Sequence, residues 1–268
     1  MSAAVTTSPA VASEWALPPA GRPGVPFTRL LHAEMRKFVD TRAGRGLLIA
    51  IGAISAVVLA IIVLVTEPAE LELGDLVLST ASVQVLLVPA LGILAATSEW
   101  SQRTGMTTFT QEPRRGRVSL AKLLVALGFA LACTVVLVLL ALVATLAAVG
   151  LRDAPDAWVV DGALIGRMVL VQVLVVAQGV GFGMLFLSTP VALVTYYVLP
   201  TVFSLLTSFI SWLQDAAPWI DLSLAARPLY DAAPVTGEQW AQILVTTLIW
   251  VGLPILVGHW RISRREVK

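Results

Sequence analysis

Residues able to do chemistry are few in this chain, and the gaps are as informative as the residues. His32 and His259 stand far apart in a 268-residue sequence, without a His-Glu-x-x-His pair to hold zinc. No Gly-x-Ser-x-Gly elbow presents a nucleophile. A phosphate-binding P-loop needs a lysine behind a glycine-rich turn, but Lys37, Lys122 and Lys268 follow Arg36, Ala121 and Val267. Cys133 is the one cysteine, which excludes an intramolecular disulfide, and its apolar setting disfavours the thiolate. Ion coupling calls for a carboxylate in the middle of an apolar span, and none lies there. The sequence therefore argues against an enzyme, and against ATP hydrolysis by this chain.

Polar residues gather instead in one stretch, Ser98 to Lys122, SEWSQRTGMTTFTQEPRRGRVSLAK. It carries Arg103, Arg114, Arg115, Arg117 and Lys122 against Glu99 and Glu112. Within it, Met106 to Thr110 reads as a short helix that stops before Pro113, because a residue preceding proline avoids the helical region.

The elements around this stretch are apolar. Hydrophobic residues make up 57% of the chain and charged ones 13%, against about 45–50% and about 25% in soluble domains, so the composition is that of a membrane protein. Residues 1–26, rich in Ala, Pro, Ser and Thr, read as a disordered tail without the apolar core of a signal peptide. Over 27–46, Phe27, Leu30, Leu31, Met35, Phe38 and Val39 recur at helical spacing. Arg29, His32, Arg36, Lys37, Asp40 and Arg42 fill the other side, which predicts a basic amphipathic helix in the membrane interface.

Six spans follow, at about 47–65, 76–97, 123–150, 164–187, 191–213 and 240–260. The fourth and fifth are separated by Ser188-Thr189-Pro190, a turn because proline cannot continue the preceding helix. Arg167, near the outer end of the fourth, is expected to snorkel to the interface. The external connection 214–239 mixes Trp219, Leu222, Leu229 and Tyr230 with Pro218, Pro228 and Pro234. It fits either a segment dipping into the membrane under protein cover or an interfacial loop.

Charge sets the orientation. The N-terminal segment, the 98–122 loop and the 261–268 terminus hold fifteen of the eighteen basic residues, leaving Arg152, Arg167 and Arg227 opposite. By the positive-inside rule both termini and the loop are expected to be cytoplasmic. The fold class is thus an all-α integral membrane protein, six transmembrane helices preceded by an interfacial helix.

Uncharged polar groups inside the spans have two readings, interhelical hydrogen bonding or the lining of a pathway. Ser82 and Gln84 in the second span, with Tyr197, Ser204, Thr207 and Ser208 in the fifth, are the pathway candidates. Gly179 and Gly183 have the Gly-x-x-x-Gly spacing that lets helices approach closely.

The order Glu99, Arg103-Thr104-Gly105, a short helix through Thr107 and Phe109, Pro113-Arg114-Arg115, then Ala121-Lys122 entering the third span resembles the coupling loop of ABC-2 type permeases. These are the membrane subunits of ATP-binding cassette exporters. The terminal Arg264-Arg265-Glu266 is similar to that family's Arg-Arg-Asp ending, and Arg-Thr-Gly stands where Arg-Gly-Thr is commoner. The resemblance implies a permease that pairs with a second copy and with two separate ATPases, on which ATP and Mg would bind. It implies no cofactor on this chain and no nucleic-acid partner, and it makes Ser98–Lys122 the ATPase-coupling element. A non-transporting membrane scaffold, whose basic faces bind anionic lipid or a partner, is the alternative.

Overall fold

The computed structural model describes residues 25–154, 157–231 and 233–264, with the side chain of Ser208 left aside. All regular structure among them is helical, and six helices are long and apolar enough to cross a membrane. Helix α1 spans Phe27–Asp40 and α2 Arg42–Val65, with Thr41 alone between them in extended conformation. Thr41 Oγ1 accepts from the Gly44 amide at 3.1 Å and so caps α2. A Cβ on Gly44 would lie 2.1 Å from the Phe38 carbonyl oxygen, so this tight corner requires glycine. The single helix expected over 27–46 is therefore two, α1 ending at Asp40, because the threonine cap starts a new helix there.

Helix α3 covers Leu73–Ser101, α4 Gly105–Gln111, and α5 Arg115–Arg152. At 38 residues α5 is about 57 Å long, well beyond a bilayer's hydrocarbon thickness. It starts eight residues before the expected span, so Arg115, Arg117 and Lys122 sit on a rigid helix and not in a loop. Helix α6 is Gly162–Phe186, with Asp161 capping the Ala163 amide, and α7 is Thr189–Phe209. Leu187, at φ 54°, breaks the chain between them, and Pro190 falls in the first turn of α7, where a missing N–H costs nothing.

The segment expected as an external loop at 214–239 is mostly helical. It forms α8 (Ser211–Ile220), α9 (Leu222–Ala225) and a 3₁₀ turn at Arg227–Tyr230. Helix α10 then runs Gly237–Arg264 with a π-helical turn at Leu248–Gly252. Thr236 and Gln239 cap its start reciprocally.

Small residues fix the centre of the bundle. A Cβ on Gly92 of α3 would lie 2.5 Å from the Val176 carbonyl oxygen, and one on Gly179 of α6 would lie 2.3 Å from that of Pro89. Gly183 meets Ala96 in the same seam, so the Gly-x-x-x-Gly pair is the packing face of α6 on α3. Helices α2 and α5 pack around α3, and α10 closes on α6 where Gly258 meets Met184. Helix α7 is peripheral: 6% of its most apolar stretch is buried, against 56% for α3. At the end opposite α4, Arg152 donates to the Val63 and Thr66 carbonyls and ties off α2. Arg167 is held by Asp161 at 3.2 Å and the Ala233 carbonyl at 2.9 Å, so this end of α6 is tied to the connection that precedes α10.

Candidate functional site

Four charged side chains meet where α1, α3, α4 and α5 converge. Lys122 Nζ donates to Glu34 Oε2 at 2.7 Å, to the Ala95 carbonyl at 3.1 Å and to Ser98 Oγ at 3.3 Å, and lies 3.0 Å from Glu99 Oε2. Lys37 Nζ reaches the other oxygens, Glu34 Oε1 at 2.7 Å and Glu99 Oε1 at 3.3 Å, and donates to Thr108 Oγ1 of α4 at 3.3 Å. Glu34, Glu99 and Lys122 are buried, whereas the Lys37 side chain is 39% exposed. Two carboxylates and two ammonium groups cancel in charge, which lets the group be buried at all. Burial alone would raise the Glu34 carboxyl, but the Lys122 and Lys37 ammonium groups outweigh it and hold the group below the usual carboxylate range.

The cluster fixes the position of α4. Helix α3 ends in a Schellman arrangement: Arg103 takes φ 56° and the Thr104 amide bonds back to the Glu99 carbonyl at 3.0 Å. From there α4 turns Thr108 and Phe109 inward. Phe109 lies against Trp100 and beneath the Arg115 guanidinium, 4.9 Å from the ring centroid. Arg115 also donates to the Ile262 carbonyl, joining the start of α5 to the end of α10. Glu112 is buried and binds Arg117 at 2.5 Å, while Arg117 donates to the Val25 carbonyl ahead of α1. The α4 helix is thus held by α1, α3 and α5, and Arg115 links that support to α10.

What α4 shows outward follows from that clamp. Arg103, Thr104, Met106, Thr107, Thr110, Gln111, Pro113 and Arg114 are exposed, with Met106 at 55%. Glu99, Gly105, Phe109 and Arg115 face inward or are partly covered. The nine residues assigned to coupling therefore divide into an outer surface (Arg103, Thr104, Thr107, Pro113, Arg114) and an internal support (Glu99, Gly105, Phe109, Arg115). On α1, Phe38 is buried against Phe129 at 4.7 Å, Phe27 and Leu31 are half-buried, and Arg36 is exposed.

The pathway candidates are scattered. Gln84 is fully buried, donating to the Cys133 carbonyl at 3.1 Å and accepting from Gln172 Nε2 at 3.1 Å. It joins α3, α5 and α6 and faces no open surface, as interhelical bonding requires. Ser82 and Tyr197 line a cleft of about 440 Å³ between α3, α6, α7 and α9, where Tyr197 donates to the Leu86 carbonyl. Ser204 is exposed on α7 and Thr207 half-buried, with Thr207 Oγ1 donating to the Ser204 carbonyl. The Ser208 side chain, the tail 1–24 and the 265–268 ending fall outside the described residues.

Glu34 is the member of the cluster that sequence reasoning misses, although a signal is there. It falls on the apolar stripe of α1, one turn from Leu30, Leu31 and Phe38, where an acid has to find a buried partner. Lys122, the one lysine of α5, is that partner. Met106 likewise passes for an ordinary apolar residue until its exposure on α4 is seen. Among the described residues no group of three or more His, Cys, Asp or Glu is placed to hold a metal ion.

Comparison with protein-family models and with curated proteins finds no match to this chain. Its class rests on architecture: regular structure that is all helical among the described residues, with six helices long and apolar enough to cross a membrane, as a multi-pass membrane protein has.

Proposed function

We propose that the chain is the permease subunit of an ABC-2 type exporter, working as a dimer and driven by separate ATP-binding cassette subunits through α4. One observation carries the reading. A short helix between the second and third spans is clamped from within by a neutral buried ion cluster and shows a continuous outer face. Force applied to that face would pass to α1, α3 and α5 together, because all three meet at the same four charges. A two-state transporter needs such a stiff connection between an ATPase and its spans. The α4 end of the bundle is cytoplasmic in this reading, in the plasma membrane, with ATP and Mg held by the partner. Helix α7, the least covered span, and the cleft at Ser82 and Tyr197 are the parts nearest the substrate path.

The test is purification of the full chain from its native membrane, followed by assay of the eluate for vanadate-sensitive ATPase activity. Activity that co-elutes, and is lost with Met106→Asp while the chain still inserts, supports the reading. Absence of any co-eluting ATPase, or activity indifferent to α4, favours a scaffold.

A further inference from the structure

A second surface of α1 is not used by the ion cluster. Between α1 and α5 runs a groove of about 430 Å³, its walls formed by Leu31, Met35, Leu124 and Phe129 and its floor by Gly128. A Cβ added at Gly128 would meet nothing within 4 Å, so the floor is open. His32 is the one polar residue in the lining, and its Nδ1 sits 2.9 Å from the Thr28 carbonyl.

The rim is basic. Arg29, His32 and Arg36 follow one another at three- and four-residue spacing on the exposed side of α1, one edge of a helix. Neither the Arg29 nor the Arg36 side chain has a hydrogen-bond or ion-pair partner among the described residues. Of the two acids on α1, Glu34 is taken up by Lys122 and Lys37, which leaves Asp40 at the far end. Residues 123–150 of α5 carry no charge to oppose an anion.

We infer that this groove binds an anionic phospholipid, an acyl chain lying along α5 from Leu124 past Gly128 and the phosphate held at the Arg29–His32–Arg36 edge. Charge complementarity selects the occupant: an apolar trough with a cationic rim at a membrane surface matches a lipid with a negative headgroup and not a zwitterionic one. The trough sits where α1 meets a spanning helix, the depth at which headgroup gives way to chain. Lipid seated there would brace α1 along a face next to the ion cluster. The inference rests on α1 lying along the membrane and is independent of ATPase docking.

The test quantifies lipid retained by the full-length chain after delipidation and exchange with phosphatidylglycerol or phosphatidylcholine. The expected result is retention of phosphatidylglycerol about thirtyfold over phosphatidylcholine, since each of the two arginines near the surface contributes about 1 kcal/mol. Gly128→Phe, which fills the trough and leaves the charges, and Arg29→Gln/Arg36→Gln, which does the reverse, should each abolish the preference. Ala132→Phe repeats the trough-filling test should Gly128→Phe fail to fold. Arg103→Gln/Arg114→Gln removes as much charge elsewhere and should change nothing. Inorganic phosphate should not compete, because the chain contact is part of the site. Undiminished preference in both trough-filling variants, equal loss in the control, or displacement by inorganic phosphate would overturn the inference.

Discussion

Removing Lys122 is the sharpest perturbation of the buried cluster. Lys122→Met keeps most of the side-chain volume but leaves Glu34 and Glu99 facing a single ammonium, a net charge of −1 in a site that now has none. Breaking a buried ion pair by deleting one partner costs about 3–5 kcal/mol, because the remaining charge has already lost its water. Lys37 lies equally close to Glu34, at 2.7 Å, but its side chain is 39% exposed. Water screens that pair, so Lys37→Met should cost about 1 kcal/mol or less. The double variant Glu34→Gln/Lys122→Met restores neutrality and should recover at least half of the single variant's loss. Thermal unfolding of detergent-solubilised chain reads the difference, with Lys122→Met lowered by on the order of 10 °C. The reasoning fails if Lys122→Met and Lys37→Met are equally mild, or if the double variant is no better than the single.

Acid should separate the same proteins. Glu34 is held below its ordinary range, so its contribution is complete above the unfolded value of 4.5 and is lost as pH falls through the lower native value. With Lys122 replaced, burial pushes the Glu34 carboxyl upward, and Lys122→Met should gain stability on mild acidification, which a pH series of unfolding curves would show. Arg103 holds a left-handed conformation that costs a non-glycine residue about 1 kcal/mol, so Arg103→Gly should raise the unfolding temperature slightly. Gly179→Val would drive a side chain into the Pro89 carbonyl at the α3–α6 seam. Helix content by circular dichroism should persist in that variant while the unfolding temperature falls steeply.

Much of this architecture is legible in the amino-acid sequence, for definite physical reasons. Nineteen uncharged residues from Leu47 to Val65 are long and apolar enough to span a bilayer, and they form α2. Pro113 marks a stop that the backbone obeys, Pro190 opens α7 after the break at Leu187, and the helix expected at Met106 to Thr110 is α4. Span ends are less legible, because hydropathy marks where apolar residues stop and not where hydrogen bonding stops. Helix α5 continues through Arg115, Arg117 and Lys122 since each of those charges finds a partner on a neighbouring element. The helices of 211–225 are hidden by Pro218 and by their short length. The cluster is hidden because Glu34, Lys37, Glu99 and Lys122 are strung along nearly ninety residues, and only the fold brings them within hydrogen-bonding distance. Gln84 illustrates the reverse difficulty: polarity inside a span marks it correctly as special, while its direction depends on where α5 and α6 lie.

Site-specific cross-linking asks outright whether α4 is the docking element. The native Cys133 is buried, so single cysteines introduced on the surface report with little background. Thr107→Cys lies on the outer face of α4, and Trp158→Cys lies exposed at the opposite end of the bundle. Treated in native membranes with a short cross-linker bearing a maleimide for the cysteine and a photoreactive arm that inserts into any neighbouring residue, Thr107→Cys should join the chain to an ATP-binding cassette subunit, and Trp158→Cys should not. Cross-linking of both variants to that subunit, or of neither, would refute α4 as the docking element.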